Sequence, residues 1–312
     1  SAAVGGSAAI EKPERRSAKG GGGRCRNWLN FKECHRHRKQ PGWKLLHRLP
    51  LASSAPPLAA MENLSVRWGS RCILNQVNLQ IAAGERLVVV GPSGAGKSTI
   101  LRLLAGLQLP SSGSLSLHGI PQTYLRLDQR QPQDVRLVFQ NPALLGSLTV
   151  RENVGFLLYR HGRLAEREIR ERVGAALHAV GLQGIEEQMP AELSGGMQKR
   201  VSFARALIDD PAKPNEQMPL LLFDEPTAGL DPIACTRIED LIVRTTEVAR
   251  ATSVVVSHVH STIERSAERV VLLYDGQFRW SGTVEEYRSC SDPYVVQFRS
   301  GSLRGPMQPA EL

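Results

Sequence analysis

Nine consecutive residues, Gly91, Pro92, Ser93, Gly94, Ala95, Gly96, Lys97, Ser98 and Thr99, fit the pattern G-x-x-x-x-G-K-[ST]. The chemistry this pattern serves is the binding of polyphosphate. Glycines let backbone N–H groups converge on phosphate oxygens without interference from a Cβ. A helix that starts inside the pattern directs the positive end of its dipole at the same anion. Lys97 is placed to neutralise the β- and γ-phosphates, and the Ser98 hydroxyl to bind Mg²⁺.

A second cluster is Leu220-Leu221-Leu222-Phe223-Asp224-Glu225, four apolar residues and then two carboxylates. A buried strand would deliver Asp224 to its carboxyl edge, where it orders Mg²⁺. Glu225 follows at once and suits the orientation and polarisation of an attacking water. A third cluster is Leu193-Ser194-Gly195-Gly196-Met197-Gln198-Lys199-Arg200. It reads as a second anion-binding helix start, with a Ser hydroxyl and free Gly amides. One chain already has a phosphate loop, so the second suggests service to another chain's nucleotide.

These residues need elements to position them. Leu64–Trp68 and Ile73–Ile81 alternate and end at turn residues, the pattern of strands. Arg86–Val90, Val135–Phe139, Pro219–Phe223, Ser253–Ser257 and Val270–Tyr274 are short apolar runs expected of buried parallel strands. Asp275-Gly276 predicts a hairpin into Phe278–Trp280. Thr99–Leu107, residues from about 149 to 180, and Arg200–Ile208 read as helices. Strands alternating with helices imply an α/β core with a mainly parallel sheet. No internal repeat is visible, so one such unit is expected.

Composition limits the alternatives. The 312 residues suffice for a buried core, and 41% hydrophobic with 22% charged is ordinary for a globular chain. No apolar run approaches the roughly 18–20 residues needed to span a bilayer, so membrane work would fall to a partner. The net charge of +9 invites a nucleic-acid reading. Its location removes that reading: residues 1–50 hold 12 of the 39 basic and 3 of the 30 acidic residues, leaving 27 of each. Five scattered cysteines without a CxxC pair indicate a reducing compartment, and Cys25, Cys34, His35, His37 and His47 fit no zinc-finger spacing. Residues 1–58 are expected to be a basic tail and linker with the composition of an organelle transit peptide, a disordered leader being the alternative.

Together the motifs resemble the ATP-binding cassette (ABC) ATPases: Walker A at Gly91–Thr99, Walker B at Leu220–Asp224, and the LSGGQ-type signature at Leu193–Met197 with Met for the usual Gln. The resemblance covers nearly all of residues 60–312. It implies a P-loop NTPase fold with a RecA-like core, an antiparallel β subdomain, and a helical subdomain over about 141–198. ATP and Mg²⁺ are the implied cofactors. The resemblance gives Gln140 the place of the Q-loop ligand of Mg²⁺ and water, coupled to a permease. Gly229-Leu230-Asp231 takes the place of the D-loop, and His258 that of the switch histidine, with His260 ranked well below it. Trp68 takes the place of the aromatic that stacks on adenine, a core tryptophan being the alternative. Catalysis would rest on Glu225, His258, Gln140 and Lys97. A second copy of the chain would complete two head-to-tail ATP sites.

Within the family, RENVGFLLY from Arg151, DEPTAGLDPIA from Asp224, HSTIERS from His260 and DPYVVQFRSGSLRGPMQ from Asp292 resemble lipid-handling cassettes. These are the bacterial Mla-type phospholipid-transport ATPase and, more closely, the plastid trigalactosyldiacylglycerol-type importer ATPase. The plastid likeness rests on Ser302–Pro306, the insert Asp210–Pro219 and the basic tail. It implies an integral permease, an MCE-domain lipid-binding protein and the stromal face of the chloroplast inner envelope, or the cytoplasmic face of a bacterial inner membrane. It also implies a C-terminal extension, about 292–312, that reaches the partner cassette. The rivals are an importer of another solute and a permease-free ABC ATPase of the Fe–S assembly type.

Overall fold

A computed structural model describes residues 56–162, 164–209, 211 and 217–308. The basic segment 1–50 with its cysteines and histidines, the start of the linker and most of the 210–219 insert lie outside the described residues. The described chain runs β1 (Ala59–Trp68), β2 (Arg71–Ile81), β3 (Arg86–Val90), α1 (Lys97–Leu104), β4 (Ser112–Leu117), β5 (Ile120–Pro121), β6 (Val135–Val138), α2 (Val150–His161), α3 (Glu166–Ala179), α4 (Gly195–Leu207), β7 (Leu220–Asp224), α5 (Pro232–Val248), β8 (Thr252–Val256), α6 (His260–Ser266), β9 (Arg269–Tyr274), β10 (Gln277–Thr283), α7 (Val284–Ser289) and α8 (Pro293–Ser300).

Six strands form one sheet in the order β10-β9-β3-β8-β7-β6. All its neighbours are parallel except the β9–β10 hairpin. Three of its inner strands read RLVVV, LLLFD and TSVVV, and nearly every residue in them is buried. That is the composition of strands covered on both faces, where β-branched side chains pack well. Four further strands, β2-β1-β4-β5, make a separate antiparallel sheet. Here exposed and buried residues alternate along much of β2, as in a sheet wetted on one face.

The helices begin where their caps dictate. Thr149 and Glu152 form a reciprocal capping box at the start of α2, and Gly162 ends it at φ +60°. The helical reading over 149–180 is thus two helices, with a break at Gly162. Helix α1 starts at Lys97, two residues before the sequence suggests, and α4 at Gly195, five before. Ser194 caps α4, so the glycines enter the first turn despite their low propensity. Two apolar clusters hold the whole. One, around Val88, Phe203, Phe223 and Tyr287, joins the sheet to the helical residues. The other, around Leu64, Leu74, Ile100 and Leu222, joins it to the antiparallel sheet.

Candidate active site

Strand order places the site. Val89 pairs with Val256, and Val256 pairs with Asp224. Val138 pairs with Phe223. The residues that follow β3, β6, β7 and β8 therefore gather at one carboxyl edge, the crevice where open α/β sheets bind ligands. These are Gly91, Gln140, Glu225 and His258.

The loop after β3 is shaped by glycine. A Cβ on Gly91 would stand 2.1 Å from the carbonyl oxygen of Leu273. Gly96 has φ +103°, and a Cβ there would meet the Ile73 carbonyl at 3.2 Å. Lys97 is buried, and its Nζ donates to the carbonyls of Gly91 (2.9 Å) and Pro92 (3.0 Å). Burial lowers its pKa, opposed by the negative charges of Glu225 and Asp224. The neighbouring Ser98 hydroxyl donates to Asp224 Oδ1 at 3.1 Å. Burial raises the Asp224 pKa, with the Ser98 hydrogen bond acting the other way.

Glu225 departs from strand geometry at φ +45°, an uncommon backbone for a side chain of this size. Its N–H still reaches the Val256 carbonyl at 2.9 Å. Its Oε1 lies 2.9 Å from His258 Nδ1. An ionised carboxylate only accepts, so Nδ1 carries the proton in that pair and Nε2 is left for another partner. Glu225 Oε2 is buried and has no hydrogen-bond partner among the described residues. An orphaned carboxylate oxygen at this edge fits the binding of a water or a metal-bound ligand. Ser98 and Asp224 supply hard oxygen donors side by side, the donor type Mg²⁺ takes.

The remaining predicted residues stand at the ends of elements or just beyond them. Gln140 is exposed, two residues past the end of β6. Trp68 is 51% exposed, at the end of the β1–β2 hairpin whose Ile73 a Cβ on Gly96 would meet. A core tryptophan is thereby ruled out. Asp231 Oδ1 accepts from the N–H groups of Ile233 (2.9 Å) and Ala234 (3.0 Å), so it caps α5. Ser194 Oγ accepts from the Met197 N–H at 3.3 Å. A Cβ on Gly195 or Gly196 would meet nothing within 4 Å, so the signature glycines face open space. His260, an exposed residue, has its ring centroid 6.3 Å from that of Tyr287 and 6.5 Å from that of Phe298.

Sequence reasoning passed over Lys199. It is buried within α4, and its Nζ donates to the carbonyls of Pro226 (3.2 Å) and Ala228 (2.5 Å). The signal was present: Lys199, Ser202, Phe203 and Ala206 form one buried stripe at helical spacing. A lysine in such a stripe needs an internal acceptor. The Thr227–Thr262 hydroxyl pair, 3.1 Å apart, was also missed, as was the fully buried Glu239 that accepts from Ser261 and Thr262.

A cradle of glycines, a lysine, a serine–aspartate pair and a histidine-held glutamate, on a parallel sheet with a signature helix beside it, define an ATP-binding cassette. The chain belongs to the ABC transporter family, whose model matches residues 74–228. It is 47% identical over 251 residues to the Arabidopsis thaliana protein TRIGALACTOSYLDIACYLGLYCEROL 3, chloroplastic, covering 77% of this chain and 73% of that one. It is 37% identical over 255 residues to the Haemophilus influenzae intermembrane phospholipid transport system ATP-binding protein MlaF, covering 80% of this chain and 93% of that one. Among solved structures it is similar to the dimeric post-hydrolysis cassette MJ0796 bound to ADP and Pi, with TM-score 0.62, 30% identity, and 72% and 98% of the two chains covered. The chain is thus the ATP-binding, ATP-hydrolysing subunit of an ABC transporter. No helix among the described residues is long and apolar enough to cross a membrane.

Proposed function

We propose that this subunit drives transfer of a glycerolipid such as phosphatidic acid, together with an integral permease and an MCE-domain lipid-binding protein, at the stromal face of the chloroplast inner envelope. The observation that supports the chemistry is the Lys97, Ser98–Asp224 and Glu225–His258 arrangement at one sheet edge. The likeness to a chloroplastic relative at 47% identity supports the lipid reading.

ATP lies with its adenine on Trp68 and its phosphates in the backbone of Gly91–Gly96. The dipole at the start of α1 and the Lys97 ammonium draw the β- and γ-phosphates into place. Ser98, Asp224 and Gln140 would hold Mg²⁺, which would supply neutralisation of the phosphate charge. Glu225 accepts the proton of a water as that water attacks the γ-phosphorus, and ADP leaves with its β-phosphate oxygen as the leaving group. His258 Nδ1 fixes the carboxylate, and its Nε2 faces the transferred phosphoryl group. Positioning and charge stabilisation supply the rate. Ser194, Gly195 and Gly196 of a second copy close over the same γ-phosphate, and Asp231 lies at that junction. Two copies thus carry two composite sites.

Residues from about 141 to 198 form the helical subdomain, and residues after Gln140 carry its movement to the permease. Residues 1–58 serve as transit peptide and linker, and 292–312 contact the partner cassette. Affinity purification of the tagged chain from solubilised envelope tests the transport reading. Recovery of a multi-spanning permease with an MCE-domain protein is expected. Recovery of soluble partners alone would refute it.

A further inference from the structure

The buried lysine of the signature helix lies outside the mechanism above. Lys199 is five residues past the cap of α4, and only 9% of its surface is exposed. Its ammonium pairs with no carboxylate among the described residues. It grips two backbone carbonyls, those of Pro226 and Ala228, which flank Thr227 in the turn immediately after Glu225. The rest of that turn is tied to other elements. Thr227 Oγ1 meets Thr262 Oγ1 on α6, and the Cys235 thiol of α5 reaches the carbonyls of Thr227 (3.5 Å) and Leu230 (3.6 Å). The turn begins at the left-handed Glu225, a backbone that persists only when its surroundings hold it.

We infer that Lys199 is a positioning residue that couples the two nucleotide sites, transmitting the seating of the signature helix on the partner's ATP to the turn that sets this chain's own Glu225. This rests on the composite-site reading proposed above. The physical argument is one of rigidity. A buried ammonium has no water to replace lost acceptors, so it keeps both carbonyls as α4 moves. A shift of the α4 start, where Gly195 and Gly196 face open space, therefore pulls on Pro226 and Ala228 in the same chain. The burial that depresses the Lys199 pKa marks the same desolvation. Each protomer then reads the occupancy of its partner's site through its own α4.

The test is steady-state ATP hydrolysis by the full chain over a range of ATP concentrations. Lys199→Met keeps the length and loses the donors; Lys199→Gln keeps one amide donor. Wild type is expected to show a Hill coefficient approaching two, the ceiling for two sites. Lys199→Met is expected to lower it to about one and kcat by about tenfold, with the single-chain affinity for ATP retained. Lys199→Gln is expected to lie between. Should Lys199→Met not fold, Lys199→Gln carries the test alone: a lowered Hill coefficient supports coupling, and a wild-type value overturns it. A Lys199→Met protein that melts earlier or turns over slower yet stays as cooperative as wild type has lost only a structural bond, and the inference falls. If wild type is itself non-cooperative and Glu225→Gln shows no ATP-dependent dimer, the composite-site reading falls, and the inference with it.

Discussion

Asp224 shows at the scale of one residue how a site trades stability for chemistry. Burial raises its pKa, so the folded chain holds that proton more tightly than the unfolded chain does. Its contribution to stability is full below the ordinary aspartate value of about 3.9 and is lost as pH rises through the higher folded-state value. At neutral pH the desolvated carboxylate is therefore a cost. Asp224→Asn is expected to raise the melting temperature at pH 7 and to abolish turnover. Melting curves at pH 4 and pH 7 check the sign: the gain should shrink at the lower pH. Trp68 makes the second residue-scale prediction. Half-exposed at a hairpin end, it is available for stacking, an interaction worth about 1–3 kcal/mol per base. Trp68→Ala should weaken ATP binding about tenfold and Trp68→Phe much less, as read by nucleotide titration.

At the scale of elements, the sheet edge carries the account. The P-loop fits only because β3 and β9 run side by side, with Val90 opposite Leu272 and Gly91 against the Leu273 carbonyl. Gly91→Ala would drive a Cβ into backbone that cannot step aside. It is expected to cost about 3 kcal/mol or more or to displace the loop, and to remove ATP binding, as read by melting and titration. The strands of the parallel sheet, β1, β2 and the phosphate loop were legible in the sequence because they obey local rules, β-branched runs and glycines at forced turns, whereas β4 and β5 were not read. Helix α5 was not read, although Asp231-Pro232 is a cap followed by a helix-starting proline and Ile238, Leu241 and Ile242 are its buried face. Asp231 was already claimed by a loop motif, and one side chain can serve a cap and a loop at once. The starts of α1 and α4 were placed late because glycine argues against helix, whereas Gly96 is the cap of α1 and Gly195 and Gly196 lie in the first turn of α4, where backbone N–H groups have no partner within the helix. The Glu225–His258 pair joins residues 33 apart, and the Lys199 grip on Ala228 joins residues 29 apart. No local pattern encodes such pairings; strand order does.

At the scale of the molecule, one chain holds only part of the proposed site. Within one chain, Lys97, Ser98, Asp224, Glu225 and His258 converge, while the signature glycines stand open on the surface. The exclusion of water that a second chain would bring is what makes charge stabilisation effective. The central claim is that two copies enclose two ATP molecules and that Glu225 is needed to break them. The most direct measurement is the solution mass and bound nucleotide of Glu225→Gln with Mg·ATP, against the same protein without nucleotide and against Lys97→Ala. The account predicts a dimer holding two unhydrolysed ATP for Glu225→Gln with Mg·ATP, and monomers in both controls. A Glu225→Gln protein that stays monomeric with ATP bound, or that turns ATP over at the wild-type rate, would contradict it.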